Sequence, residues 1–107
     1  MTIRNFASLD LNLLRVFDEV MVERSLTRAG LRLSMTQPAV SNALRRLRDL
    51  LDDELFLRTP SGMAPTPYAL QLAEPVAQAL RGLQGALNVR ASFDPARSER
   101  CFTLAMT

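Results

Sequence analysis

The residues in this 107-residue chain that could do chemistry are concentrated between residues 24 and 48, where every charged side chain is an arginine. They give this stretch a net charge of +6 and are Arg24, Arg28, Arg32, Arg45, Arg46 and Arg48. A planar guanidinium group binds phosphate oxygens and guanine edges through paired hydrogen bonds. The pattern therefore favours a nucleic-acid partner, and ordinary solvation of helix surfaces is the alternative.

A helix predicted over residues 37–51 would sort these side chains onto two faces. Its apolar residues recur at the spacing of a buried stripe and are Val40, Leu44, Leu47 and Leu51. The outer face is mostly polar and carries Gln37, Pro38, Ser41, Asn42, Arg45 and Arg48. Amide and hydroxyl groups can hydrogen-bond to base edges, while arginines can reach bases or flanking phosphates. We therefore expect double-stranded DNA to bind this outer face.

The elements that must position this face predict a mainly α-helical fold. The predicted helices span residues 11–23, 26–33 and 37–51, and their N-caps are Asp10, Ser25 and Thr36. Pro38 falls in the first turn of the third helix, where its missing N–H costs nothing. Two short strands, at residues 55–58 and 63–64, should pair around a glycine turn and form a wing. On the wing, Arg58 could contact phosphate or could pair with an acidic residue of the core.

The sequence from Thr66 to about residue 90 predicts one long helix, with Thr66 as its N-cap and Pro67 at its first position. Its apolar seam consists of Val76, Leu80, Leu83 and Leu87. A helix this long cannot bury its seam against so small a neighbouring domain. We therefore expect it to pack on a second copy of the chain, as the dimerisation element.

The predicted organisation has three parts. Residues 9–65 form a winged helix-turn-helix, whose helix-turn-helix covers about residues 26–45, and residues 66–91 form the linker helix. Residues 92–107 read as a hinge and one strand, and an isolated strand cannot satisfy its own backbone hydrogen bonds. We therefore expect the chain to continue into a further domain.

Composition argues against an enzyme and a membrane protein. Histidine is absent, and the lone Cys101 lies in an apolar run without a group to activate it. Neither a glycine-rich phosphate loop nor a pair of metal ligands appears, so no cofactor and no metal are expected. The sequence contains no apolar run of about 18 residues and no signal peptide, and a single cysteine fits a reducing cytoplasm.

These features resemble the N-terminal region of the LysR-type transcriptional regulators. The resemblance runs from about Leu9 to Leu87, and its most specific parts are SLTRAG…L…TQPAVSNALRRLR and LFLRTPSGMAPTPYA. The second motif is most similar to the branch of nodulation and aromatic-catabolism regulators. The resemblance implies a winged helix-turn-helix that dimerises through the linker helix and binds an interrupted palindrome near a promoter. It also implies a tetrameric full-length protein, in which a C-terminal domain senses a small-molecule effector.

Carried over by position, the groove-facing residues are Thr36, Gln37, Pro38, Ala39, Ser41 and Asn42. The full set expected to contact DNA adds Ser25, Thr27, Arg45, Arg46, Arg48, Arg58 and Thr66. Family members often have arginine where this chain has Asn42, and an amide there would favour adenine over guanine.

Three other positions depart from the family pattern. Arg48 stands where the family usually has glutamate, which removes a family salt bridge and raises the local basicity. Asp52 stands where glycine usually ends the third helix, so we expect the cap to differ. Ser61 replaces a basic residue at the wing, which predicts weaker contact with the minor groove.

The predicted function is sequence-specific transcriptional regulation. The alternative is a helical protein-interaction module, in which the long helix mediates assembly and the arginines do not read DNA. Steep salt dependence of DNA binding would favour the regulator, because each neutralised phosphate releases counterions.

Overall fold

The computed structural model describes residues 6–93, with the side chains described up to residue 88. The elements are a short 3-10 helix Phe6–Ser8, α1 Leu11–Glu23, α2 Leu26–Leu33, α3 Gln37–Leu51, β1 Phe56–Thr59, β2 Gly62–Pro65 and α4 Pro67–Phe93. The predicted bounds of the first three helices are therefore confirmed. The fourth helix ends a few residues later than predicted. The strand predicted near Cys101 lies outside the described residues.

The N-caps form as the sequence predicts. Asp10 Oδ1 accepts a hydrogen bond from the Asn12 N–H at 2.8 Å. Ser25 Oγ accepts from the Arg28 N–H at 3.2 Å, and Thr36 Oγ1 accepts from the Ala39 N–H at 3.2 Å. Each cap satisfies an N–H group that has no partner within its own helix.

The C-caps of the first three helices are left-handed residues that are not glycine. Arg24, Ser34 and Asp52 have φ values of 54°, 58° and 55°. The expectation that the cap at Asp52 would differ is wrong, because its N–H donates to the Arg48 carbonyl at 2.8 Å, as in a glycine-capped helix. The left-handed conformation costs a residue with a Cβ up to about 1–2 kcal/mol, and less for aspartate. The chain therefore keeps the geometry of this cap at the expense of some stability.

The core lies between the first three helices, which pack against one another. The predicted stripe of α3 is buried, as are the side chains that α1 turns toward it, Leu13, Val16, Phe17 and Val20. Gly30 permits the tight α2–α3 turn, since a Cβ there would lie 2.6 Å from the Met35 carbonyl oxygen. The Met35 N–H in turn donates to the Gly30 carbonyl at 2.8 Å. This turn fixes α3 on the outside of the bundle.

The wing is an antiparallel pair in which Phe56 faces Pro65 and Thr59 faces Gly62. The first strand begins and ends one residue later than predicted, so Leu55 is not part of it, and the second strand extends one residue beyond the prediction at each end. The Phe56 ring packs on Phe17 with centroids 5.6 Å apart, which joins the wing to α1. At the wing turn, Gly62 has a φ of 129°, and a Cβ there would lie 2.5 Å from the Arg24 carbonyl oxygen. That carbonyl accepts the Met63 N–H at 3.0 Å, so the wing is held against the end of α1.

One carboxylate connects the start of α4 to the segment that precedes β1. Asp53 Oδ2 accepts hydrogen bonds from the Leu55 N–H at 2.8 Å and from the Thr66 hydroxyl at 2.7 Å. Thr66 Oγ1 also accepts from the Ala69 N–H at 3.1 Å, which confirms it as the cap of α4. Thr66 therefore has a structural role at this corner.

The chain divides at Val76 into two compact units. We call residues 6–76 the head. The head extends past the predicted boundary at residue 65, because the first turns of α4 bury Ala69 and Val76. Among the described residues, no helix is both long enough and apolar enough to span a bilayer.

Candidate nucleic-acid interface

The exposed face of α3 presents a narrow set of polar groups. Gln37, Pro38, Asn42 and Arg45 are exposed, and we call these four residues the α3 ridge. Pro38, Asn42 and Arg45 lie opposite the buried stripe, since successive residues of a helix are rotated by about 100°. Gln37 lies close to the line of Val40 and Leu44 and is exposed because it is in the first turn of the helix. The N-terminal end of the ridge carries amides and the C-terminal end a guanidinium group. Such a ridge can place hydrogen-bonding groups against the base edges of a major groove.

The other predicted contacts on α3 flank the ridge. Thr36 and Arg46 are exposed, while Ala39, Ser41 and Arg48 are partly buried. Thr36 is also the cap of the helix, so its side-chain oxygen is already an acceptor for a backbone N–H. These predicted residues therefore lie on the two flanks of the exposed face of α3 and at its N-terminal end.

Two ridge residues are joined by a hydrogen bond in which the Arg45 guanidinium donates to Asn42 Oδ1. The bond holds both side chains along the helix and leaves the Asn42 amide N–H groups available as donors. Bidentate recognition of adenine requires the amide oxygen to accept from the adenine amino group. The amide oxygen has a second lone pair, so the hydrogen bond from Arg45 does not by itself prevent this recognition.

The arginines of α2 behave differently from those of α3. Arg28 Nε lies 3.4 Å from a Glu23 carboxylate oxygen, and Arg28 also donates to the Glu23 carbonyl at 3.0 Å. Arg32 Nε lies 3.9 Å from Glu19. Since these acids belong to α1, the uninterrupted positive charge predicted for residues 24–48 is partly neutralised in three dimensions. The charge of residues 24–48 alone could not predict this neutralisation, because Glu19 and Glu23 precede that stretch in the chain.

On α3, by contrast, the arginines have no such partners. Among the described residues, no carboxylate lies within 4.0 Å of the guanidinium groups of Arg45, Arg46 or Arg48. Without a carboxylate beside it, a guanidinium group has no opposite charge to offset its field, and its remaining N–H groups can donate to a ligand. The positive charge that is available to a ligand is therefore concentrated on α3.

A groove of about 220 Å³ lies between α3 and the wing, and we call it the wing groove. Arg48 and Ser41 line it from α3 and Arg58 from β1, and Glu54 also borders it. Of the two roles considered for Arg58, pairing with an acid is not seen in the described part of the chain. The wing groove is thus lined by two arginines, Arg48 and Arg58.

A second and larger groove, of about 510 Å³, lies on the α1 side of α3, and we call it the α1 groove. Asn42 and Arg46 line it from α3, and Asn12 and Arg15 line it from α1. Sequence reasoning did not single out Asn12 or Arg15. The spacing of apolar residues in α1 predicts that Asn12 and Arg15 are exposed. Their nearness to α3, however, depends on how the two helices pack.

The remaining predicted contacts lie at helix starts. Ser25 is partly buried and caps α2, and Thr27 is exposed in the first turn of that helix. Thr66 is partly buried, and its hydroxyl proton is donated to Asp53. The structure therefore leaves Thr27 free to reach a ligand and assigns a structural hydrogen bond to Thr66.

The predicted dimerisation seam divides into buried and exposed members. Val76 is only 6% exposed within the single chain, so it belongs to the core of the head. Leu80 is half-buried, whereas Leu83 and Leu87 are 51% and 68% exposed. Val76 is therefore not offered to a second chain in this structure, and the exposed part of the seam begins beyond it.

Three helices with a tight turn before the exposed third helix, followed by a two-stranded wing, define a winged helix-turn-helix domain. Residues 11–70 match the family described as bacterial regulatory helix-turn-helix protein, lysR family. The chain belongs to this family.

Individual relatives agree with this assignment. The chain is 62% identical over 99 residues to the HTH-type transcriptional activator NagR of a Ralstonia species, covering 92% of this chain and 33% of the relative. It is 43% identical over 102 residues to Nodulation protein D 1 of a Bradyrhizobium species, covering 95% of this chain and 32% of that protein. The predicted likeness to nodulation regulators is confirmed. The chain spans about a third of the length of the curated relatives that it matches.

A solved structure supports the fold independently. The DNA-binding domain of BenM, crystallised with catB site 1 DNA, matches with a TM-score of 0.74 over 85% of this chain and 100% of that chain. Its sequence is 23% identical, so the likeness establishes the winged helix-turn-helix fold.

Proposed function

We propose that this chain is the DNA-binding part of a transcriptional regulator and that it reads duplex DNA through the α3 ridge. The observation that carries the proposal is the exposure of Asn42 and Arg45 on one face of α3 and of Gln37 at its N-terminal end, beside arginines without carboxylate partners. Family membership and the DNA-bound BenM domain support it.

In the proposed complex, the N-terminal half of α3 enters the major groove. Gln37 and Asn42 contact base edges there, and Ser41 and Thr36 lie close to the same bases. Arg45, Arg46, Arg48 and Arg58 contact bases or fix the register on flanking phosphates. Thr27 and the start of α2 lie toward the phosphate backbone. We place the protein in the cytoplasm, where bacterial DNA lies.

The proposed complex contains two copies of the chain. Leu80, Leu83 and Leu87 of α4 form the contact. Gly82 and Gly85 would allow the second helix to approach closely, and packing within the single chain does not require them, since a Cβ at either would meet nothing within 4 Å. Two α3 ridges set apart by such a dimer match an interrupted palindrome. A tetramer, and control by a small-molecule effector through a C-terminal domain, complete the proposal for the full-length protein.

The proposed readout is tested by selecting bound duplexes from a random library and comparing affinities for selected and scrambled sites. Gln37→Ala should reduce discrimination at one base pair by about 1–3 kcal/mol and leave nonspecific binding nearly unchanged. Gln71→Ala, which removes an exposed glutamine from α4, is the matched control and should change neither. Equal weakening on all sequences by Gln37→Ala would show that Gln37 only positions the protein. Failure to enrich any sequence would contradict specific readout.

The proposed dimer is tested by sedimentation of the Leu83→Glu variant. A charge in a desolvated contact is costly, so this variant should sediment as a monomer at concentrations where the unmodified chain is dimeric. Leu70→Glu is the control, because Leu70 is 55% exposed, close to the 51% of Leu83, and lies outside the seam. A dimeric Leu83→Glu variant would exclude the seam as the interface.

The exposed leucines of α4 also favour a second candidate, an interaction module without DNA readout. Ionic strength separates the two functions. DNA affinity should fall by about 0.9 log unit per log unit of salt for each neutralised phosphate, whereas an apolar assembly contact responds weakly.

A further inference from the structure

The α1 groove is lined mostly by apolar residues, but one arginine stands on each of its two walls. Arg15 from α1 and Arg46 from α3 line it together with the amides of Asn12 and Asn42. Arg15 and Arg46 are both exposed, and no carboxylate of the described residues lies within ion-pair distance of either guanidinium group. Two cationic walls with amide donors suit a phosphate group.

One carboxylate, that of Asp10, also borders this groove. Asp10 Oδ1 caps α1 by accepting the Asn12 N–H at 2.8 Å. Arg15 Nη1 donates to Asn12 Oδ1 at 3.3 Å, which aligns the guanidinium group along α1 and leaves its other N–H groups available. Two guanidinium groups against one engaged carboxylate leave the groove with net positive charge.

The position of this groove relative to the α3 ridge indicates what its ligand is. At about 100° per residue, Arg46 lies on one flank of the ridge, and Ser41 and Arg48 lie on the other. The α1 groove and the wing groove therefore run along opposite flanks of the same helix. A major groove is about 12 Å wide and is bounded on each side by one phosphate backbone. A helix lying in that groove brings each of its flanks toward a different DNA strand.

We infer that the α1 groove binds a backbone phosphate of one DNA strand, with Arg15 and Arg46 as its paired ligands. The inference rests on the proposed function, because the phosphate reaches the groove only when the α3 ridge occupies a major groove. It adds Arg15, a residue of α1, to the contact surface. It also assigns Arg46 to the backbone, where it fixes register and carries no sequence information.

The test measures affinity for the selected duplex and for a scrambled duplex over a range of salt concentrations. Arg15→Gln should weaken binding to both duplexes by roughly 3–10-fold and should reduce the salt slope by about 0.9. Arg15→Lys should recover the salt slope, since a lysine still neutralises a phosphate as a point charge. Arg32→Gln is the matched control, because Arg32 is exposed but faces Glu19 and Glu23, and it should leave the slope unchanged.

A phosphate-specific version locates the site. Uncharged methylphosphonates are placed singly along each strand of the selected duplex. At one position the methylphosphonate should lower the affinity of the unmodified protein for the duplex. The same replacement should cause no further loss of affinity in the Arg15→Gln variant or in the Arg46→Gln variant. Additive losses at every position would overturn the inference.

The outcomes separate the two proposals. If the unmodified chain prefers the selected duplex but Arg15→Gln keeps its salt slope, the phosphate site is wrong and the readout by α3 stands. If the unmodified chain shows neither preference nor salt dependence, the proposed function itself fails. Thermal unfolding of each variant confirms that a loss of binding does not reflect loss of the fold.

Discussion

α2 and α3 are neighbouring helices that carry the same cation in different surroundings. Arg28 and Arg32 of α2 lie beside Glu19 and Glu23 of α1, and the two arginine side chains are about two-thirds exposed. The α3 arginines have no acidic partner among the described residues. The α2 arginines therefore help to hold α2 on α1, while those of α3 remain available to a ligand.

This difference shows that local charge in a sequence overestimates the charge that a ligand meets. A stretch of six arginines predicts a continuous basic surface, but folding places acids of α1 beside part of it. The useful quantity is the number of guanidinium groups left without a carboxylate after the helices pack. These groups are the ones expected to neutralise DNA phosphates, and the number of neutralised phosphates sets the slope of DNA affinity against salt.

The largest expected effect is a loss of DNA affinity when charge is removed from α3, and removal of the same charge from α2 provides the comparison. Arg45→Gln combined with Arg46→Gln should lower DNA affinity by roughly 10–100-fold, because two contacts with DNA are lost. The salt slope should fall by about 2 where both arginines contact phosphates and by about 0.9 where Arg45 contacts a base. Arg28→Gln combined with Arg32→Gln is the matched pair. It should change DNA affinity by less than about 3-fold and lower the free energy of unfolding by about 0.2–1 kcal/mol, the usual range for exposed ion pairs.

Fluorescence anisotropy and chemical denaturation measure these two quantities. Equal losses of DNA affinity for the two pairs would show that the arginines of α2 contact DNA as much as those of α3, despite the carboxylates of α1. A loss of stability in the α3 pair would show that its arginines also support the fold.

A smaller effect is expected at the C-terminal ends of α2 and α3, where a substitution should change stability but not DNA binding. Each helix ends in a left-handed residue that is not glycine, Ser34 for α2 and Asp52 for α3. Asp52→Gly should raise the free energy of unfolding by about 1 kcal/mol, because glycine adopts this conformation without strain and the change removes an acid from the negative end of α3. Denaturation midpoints measure the gain, and DNA affinity should stay within about 2-fold.

Destabilisation by Asp52→Gly would mean that the aspartate side chain makes a contact worth more than its backbone strain. Ser34→Gly is the corresponding change on α2 and should act in the same direction. A gain at only one of the two caps would show which helix end is the more strained.

The sequence predicted the local structure well, because local structure depends on residues close together in the chain. The bounds of α1, α2 and α3 follow from their apolar period and from the caps at Asp10, Ser25 and Thr36. The stripe of α3 is buried as its spacing required. Each of these features can be read within one or two helical turns.

Features that depend on packing between distant segments were not predictable in the same way. The pairing of Arg32 with Glu19, the α1 groove beside Arg15 and the burial of Val76 all depend on how helices meet. The left-handed cap at Asp52 was misjudged for another reason. Its hydrogen bond to Arg48 and the packing of α3 outweigh a local preference for glycine.

Readout of bases by the α3 ridge is tested most directly with duplexes in which single purines of the selected site are replaced by their 7-deaza analogues. This replacement removes the N7 acceptor from the major groove. At one base pair the replacement should weaken the unmodified chain, yet cause no further loss in Gln37→Ala, because the two changes remove the same contact. Independent losses at every base pair, or sensitivity only to changes in the minor groove, would contradict readout by the α3 ridge.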